Sequence, residues 1–207
     1  MGALILDENQ RDCLQDLIDL SLDQVSEQLE GYLGTLVRLR LVNIQQINAQ
    51  DFTIRLDELN QVKVIICQGF FGLEGICGEA LMIYQAPSSD CLIELLGQET
   101  SELSINEQII DLGSMTIITL MNVFAKHINN QLIFGSPRII FSSETAFSEQ
   151  TAPQDMHWKL TLRVKISFQF IGYSLNCTMF LLVPKSAISY LKNSINRVLA
   201  GHYDGHN

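Results

Sequence analysis

The chain predicts an α+β protein made of two copies of one helix–three-strand–helix unit. Three observations carry that prediction. Two helical stretches about ninety-five residues apart share one pattern of polar side chains. Each is followed by strand-like runs, a Gly-containing turn, a further strand and a helix begun by Pro or Ser. The run from Trp158 to Phe170 alternates apolar and polar without a break, the signature of a half-buried strand. Tight turns favour antiparallel pairing, and neither half is large enough to bury a sheet alone. One six-stranded, mainly antiparallel sheet with a pseudo-two-fold axis is therefore expected, with the long helices on one face.

Each element has its own reason. From Asp7 to about Leu33, Leu14, Ile18, Val25 and Leu29 recur at helical spacing opposite Asp12, Asp16, Asp19, Asp23 and Glu30, and Gly34 is the stop. Val37, Leu39 and Leu41 alternate with Arg38 and Arg40 as a strand with one wet face. A short helix is expected over Asp51–Leu59, then strands over Val62–Phe71 and Ile76–Tyr84 joined through Gly72-Leu73-Glu74-Gly75. Pro87-Ser88 begins a helix that stops at Gly97.

The second half repeats this order. Ser104 caps a helix with Glu107 at its third position, a capping box, and the apolar stripe Ile110, Ile117, Leu120, Phe124, Ile128 carries the helix to about Asn130. A short strand over Pro137–Phe141, a polar insertion from Ser142 to Asp155, the long strand, a turn at Gly172-Tyr173, a strand over Leu175–Val183 and a helix begun by Pro184-Lys185-Ser186 complete it. The expected organisation is a single domain over 1–200, with repeats at about 7–98 and 104–199, and a flexible tail over 201–207.

Composition excludes several classes of function. The chain has 207 residues and a formal net charge of −10, which disfavours a nucleic-acid surface because phosphate neutralisation needs clustered Lys and Arg. Eight carboxylates lie between Asp7 and Glu30 against the single Arg11, a local acidic surface. Five cysteines without a CxxC pair predict a reducing compartment with neither a zinc site nor a disulfide framework. Met1–Leu6 is too short for a secretory apolar region, and no apolar run is expected to span a membrane. A cytoplasmic location without membrane insertion is expected. Of the histidines, His202-x3-His206 offers a metal-ligand spacing, but a solvated tail is the preferred reading.

Chemistry is best sought in the repeated helical pattern. The first copy reads Asp12-x3-Asp16-x2-Asp19 and the second Glu107-x3-Asp111-x2-Ser114. Spacing of i, i+4, i+7 puts three side chains on one helix face. Two copies of one polar face suggest two copies of one site. A solvated face that aids solubility is the plain alternative, and a weak divalent-cation stripe is a third. No P-loop, GxGxxG, GxSxG or HExxH motif is present.

These residues resemble the CheC/CheX/FliY group of bacterial chemotaxis phosphatases, whose signature is Asp/Ser-x3-Glu-x2-Asn-x22-Pro. The second copy ends at Pro137 at the family's distance, and the first ends at Val42. Leu14-Gln15-Asp16-Leu17, Leu120-Met121-Asn122 and Gly78-Glu79-Ala80-Leu81-Met82-Ile83-Tyr84 also look like the family, and the likeness runs from Asp7 to about Leu199.

The resemblance implies a CheC-like protein that removes the aspartyl phosphate of a CheY-type response regulator. The partner would supply the Mg2+, and this chain would bind no cofactor or metal. In the family the Glu engages the regulator's lysine and the Asn orients the attacking water. Asp16 and Asp111 stand at the Glu positions, and Asp19 and Ser114 at the Asn positions. The catalytic candidates are thus Asp111, Ser114, Asp16 and Asp19. Leu20, Ile118, Asn122 and Pro137 are the binding candidates; Asn122 would replace the missing amide or cap the groove. The alternative is a non-catalytic module that binds a receiver domain or a CheD-type deamidase.

Overall fold

The computed structural model describes residues 6–48, 62–85, 105–142, 160–173 and 176–204. The helices expected over Asp51–Leu59 and from Pro87-Ser88, the Ser104 cap, the insertion beyond Ser142 and Trp158 lie outside the described residues.

Helix α1 spans Glu8–Leu33. Asp7 caps it: its carboxylate accepts from the Gln10 backbone N–H at 2.9 Å, and Gln10 reaches back to the Asp7 N–H at 3.2 Å. That reciprocal box satisfies two donors the first turn would otherwise leave unpaired. Gly34 ends the helix in the left-handed conformation, φ 65°, with its N–H on the Glu30 carbonyl. Strands β1 (Val37–Asn48), β2 (Val62–Gly72) and β3 (Cys77–Gln85) follow, the last two forming a hairpin. Helix α2 is Ile105–His127. Beyond it come β4 (Leu132–Phe134), β5 (Arg138–Ser142), β6 (Leu160–Phe170), β7 (Asn176–Pro184) and helix α3 (Lys185–Asp204). Helix α3 continues past residue 200, so 201–204 are helical where a flexible tail was expected.

Among the described residues the sheet has seven strands rather than the expected six, in the order β1-β6-β7-β3-β2-β4, with β5 also paired to β2. All pairs are antiparallel. The extra strand arises because the stretch facing β2 is broken at Gly135-Ser136-Pro137 into β4 and β5. Proline lacks the N–H a ladder needs, and the interruption is bridged by Gly135 N–H to the Gly69 carbonyl and by the Gln68 side chain to the Gly135 carbonyl, each at 3.0 Å.

The halves interlock. The hairpins β2–β3 and β6–β7 meet at the sheet centre through β3 and β7, while β1 pairs with β6 and β4/β5 with β2. Each half gives its first strand to the other's hairpin. Because the equivalent strands β3 and β7 are neighbours and antiparallel, the pseudo-two-fold axis runs normal to the sheet.

The three helices among the described residues pack on one face. Leu14, Leu17, Ile18, Leu22, Val25 and Leu29 of α1 and Leu112, Ile117, Leu120 and Phe124 of α2 bury into one core with Phe70, Met82, Ile166, Phe168 and Met179. Burial of such side chains stabilises by about 1.5–3 kcal/mol each. Sequence reading expected no apolar run of membrane-spanning length, yet Glu107–His127 is long and apolar enough by composition, with a mean hydropathy of 1.4. Here that apolarity is spent against α1 and the sheet. Ile65, Cys67, Leu81, Ile83, Phe180 and Leu182 form a second buried cluster on the opposite sheet face. Burial on both faces explains why β2 and β7 read as continuous apolar runs.

Candidate functional site

The two motif helices match position for position at an offset of 95 residues. Leu14, Leu17, Leu22, Val25 and Leu29 are buried, and so are Ile109, Leu112, Ile117, Leu120 and Phe124. Ser21 is fully buried and its hydroxyl donates to the Leu17 carbonyl at 2.7 Å; Thr116, its counterpart, donates to the Leu112 carbonyl at 2.8 Å. A hydroxyl bonded back one turn needs no other partner, which lets a polar residue sit under the helix. Gly34 has its counterpart in Asn129, also left-handed at φ 56°. Asn129 N–H to Lys126 and Asn130 N–H to Ala125 complete a Schellman cap. The paired hydroxyls and the Asn129 cap were missed in the sequence, where only the Gly34 stop was read; the 95-residue offset was the signal that would have found them.

The motif's last position is also equivalent in the two copies. Val42 sits at a β-bulge, between the pairs Leu41–Ile166 and Asn43–Lys165. Pro137 sits at the break between β4 and β5. In both copies the first strand is deformed at this position, proline or not.

Asp12, Asp16 and Asp19 are exposed on α1; Glu107 and Asp111 are exposed on α2, and Ser114 is half-buried. Each triple therefore shares one outward face, as the spacing predicted. Around them the faces differ. Helix α1 continues through exposed Leu20, Asp23 and Glu27. The counterparts on α2 are Met115, Ile118 and Asn122, the first two half-buried. Partial burial raises the Asp19 carboxyl above the ordinary range, and Asp16 and Asp23 add to the rise. Burial, with Asp16 second, also raises the Cys13 thiol.

Asn122 is exposed and lies eight residues beyond Ser114, about 12 Å along the helix. It lines an open cleft of about 920 Å3 with Lys126, Asn130, Gln131 and Glu74. At that distance Asn122 lines the cleft and does not adjoin Ser114.

The motifs do not come together. With the axis normal to the sheet, α1 and α2 run antiparallel. Their C-terminal halves meet where Gln24 Nε2 lies 3.5 Å from His127 Nε2. Asp16 and Asp111 then lie toward opposite ends of the helix pair, about 36 Å apart along it. A single small partner end cannot touch both. Among the described residues no three His, Cys, Asp or Glu side chains converge to hold a metal, and Cys13, Cys67, Cys77 and Cys177 are unbonded. Burial raises the Cys67 thiol to about 11, with Glu79 adding to the rise.

The fold is similar to those of solved flagellar and chemotaxis proteins, as the CheC/CheX/FliY resemblance implies. FliY of Thermotoga maritima has a TM-score of 0.63 at 8% identity, covering 94% of this chain and all of that one. The FliM middle domain from H. pylori has a TM-score of 0.60 at 12% identity, covering 91% and 99%. A putative chemotaxis protein from Desulfovibrio vulgaris Hildenborough has a TM-score of 0.50 at 7% identity, covering 81% and 96%. No protein-family model and no curated protein matches the sequence.

Proposed function

We propose that this chain is a cytoplasmic, CheC-like chemotaxis protein that acts on a phosphorylated CheY-type response regulator, and that its α2 face is the working copy. The observation that carries this reading is the i, i+4, i+7 polar triple of α2, presented outward and followed by Pro137, in a fold shared with FliY. Asp111 engages the regulator's lysine, and Ser114 holds the attacking water with its hydroxyl. Ile118 supplies apolar contact, Asn122 borders the adjoining groove, and Pro137 shapes the neighbouring strand break. The regulator supplies its own Mg2+ and phosphoaspartate. Catalysis is then a matter of positioning, as phosphoryl transfer allows.

The substitutions set the expected rate. Asp for Glu places the carboxylate about 1.5 Å short, and a 1 Å misplacement costs about a hundredfold. Ser for Asn shortens the arm that holds the water.

A second reading is favoured by the first copy. Asp19 is acceptor-only when ionised and would bring negative charge toward a phosphoryl group, and its neighbours Asp16 and Asp23 are carboxylates too. If both copies have lost chemistry, the chain is a binding module for a receiver domain or a CheD-type deamidase.

The test is the decay of a phosphorylated receiver from the same genome with and without this chain, alongside Ser114→Ala and Asp19→Ala. Acceleration lost in Ser114→Ala but kept in Asp19→Ala supports the phosphatase reading at α2. Binding to the phosphorylated form without acceleration supports the module. Neither acceleration nor binding sinks both.

A further inference from the structure

Among the described residues, helix α1 and the strand pair β1–β6 carry charge of opposite sign on opposite sides of the sheet. Helix α1 exposes Glu8, Asp12, Asp16, Asp19, Asp23 and Glu27 on the helical side of the sheet. On the far side, Arg38 and Arg40 of β1 and Arg163 and Lys165 of β6 share one face. Register places Arg38 and Arg40 opposite Gln169 and Ser167, and Arg163 and Lys165 opposite Gln45 and Asn43. The alternate residues of both strands point to the helical core. Four of the chain's thirteen cations thus lie on two adjacent strands of a molecule with net charge −10, too many for an even scatter.

Two of these cations are held in place. Arg163 and Lys165 lie over the Phe180 ring, 5.3 and 5.7 Å from its centroid, and Arg163 also donates to Gln45. Arg38 and Arg40 are exposed. The ion pairs among the described residues are Arg138–Glu79 and Arg197–Glu74, so neither Arg38 nor Arg40 is in one. Val42, 46% exposed at the bulge, stands among them.

We propose that this basic strand face docks the acidic α1 face of a second copy of the same chain. Charge complementarity and dimensions favour that occupant. From Arg38 to Gln45, whose register partner is Arg163, β1 rises about 23 Å. From Asp12 to Glu27, α1 rises about 22 Å. Carboxylates one turn apart on a helix are spaced about 6 Å, close to the roughly 7 Å between Arg38 and Arg40 on a strand. Each face also offers one exposed apolar residue among its charges, Leu20 at 52% and Val42. Because the two faces lie on opposite sides of the sheet, the contact is head-to-tail and builds a series of copies rather than a closed two-fold dimer. It covers the first motif and leaves α2 free. The inference holds whatever chemistry α2 performs.

Sedimentation velocity of the full chain across a concentration series tests it. The expected result is association that grows with concentration at about 0.1 M salt and disappears at about 1 M, where the screening length falls to about 3 Å. Arg38→Glu with Arg40→Glu should weaken it by about tenfold or more, and so should Asp23→Lys with Glu27→Lys. Mixing the two double variants should restore association, since each then meets an opposite charge; that recovery also shows that both are folded. A wild type that stays monomeric at about 0.1 M salt would overturn the proposal. So would association indifferent to the arginine swaps, or a mixture that does not recover.

Discussion

The α1 and α2 motif faces share one backbone plan and differ in what their outward side chains are free to do. Most buried positions are alike in kind between the copies, including the hydroxyls of Ser21 and Thr116, because both helices press on the same interlocked sheet. Outward positions carry no such constraint. On α1 they hold carboxylates around an exposed leucine; on α2 they hold two carboxylates, Glu107 and Asp111, then a serine, apolar Met115 and Ile118, and Asn122. Packing preserves where a site would stand, and only function preserves its chemistry.

The largest expected effect separating the copies is on activity. Asp111→Ala should slow receiver dephosphorylation by about a hundredfold or more, whereas Asp16→Ala should leave it unchanged, as measured by phosphoryl decay. Equal losses from both would mean that the faces are not divided as described.

The next effect is on stability. Ile18 of α1 corresponds to Gly113 of α2. A Cβ on Gly113 would lie 2.5 Å from Ile66 Cδ1 and 3.2 Å from the Tyr84 hydroxyl. Gly113→Ala should therefore destabilise by about 1–3 kcal/mol despite the better helix former. Ile18→Ala should cost about 2–5 kcal/mol by leaving a cavity. Denaturant midpoints measure both. A Gly113→Ala variant of unchanged or raised midpoint would show that α2 can back away from the sheet at no cost.

A smaller effect sharpens the same contrast. Asp16→Glu with Asp19→Asn rewrites α1 to the family's Glu and Asn, and should raise receiver dephosphorylation above that of Ser114→Ala when added to it. Asp19→Asn alone should act on stability in a pH-dependent way. Burial and then Asp16 and Asp23 raise the Asp19 carboxyl, so its ionised form is disfavoured in the fold. That cost is fully present above the raised value and vanishes below the ordinary one. The variant should be slightly more stable than wild type at neutral pH and indistinguishable in acid, as thermal melts across pH would read.

Much of this was legible beforehand, for reasons visible in single residues. Asp7, Gln10 and Gly34 bracket α1 by local chemistry, and Leu162 through Phe170 alternate because one face of β6 meets the helices. The three residues of β4 were not legible, since a strand so short has no period and exists by pairing with β2. Nor was the exchange of first strands, which depends on contacts such as Val37 with Phe170 across the length of the chain. The motif triples were readable from spacing. Their separation was not, because it follows from the direction of the symmetry axis rather than from any local pattern.

That exchange also shapes how the molecule assembles. Strand β1 waits for β6, and β2 gains its second neighbour only when β4 and β5 arrive. Pairings so distant along the chain raise contact order and slow folding. Neither half can finish before the other is made, so a ribosome releases nothing native until β6 and β7 have emerged. Separated into fragments between the repeats, the halves should be unfolded alone and recover the sheet only as partners, which makes the duplication one cooperative unit rather than two tandem ones.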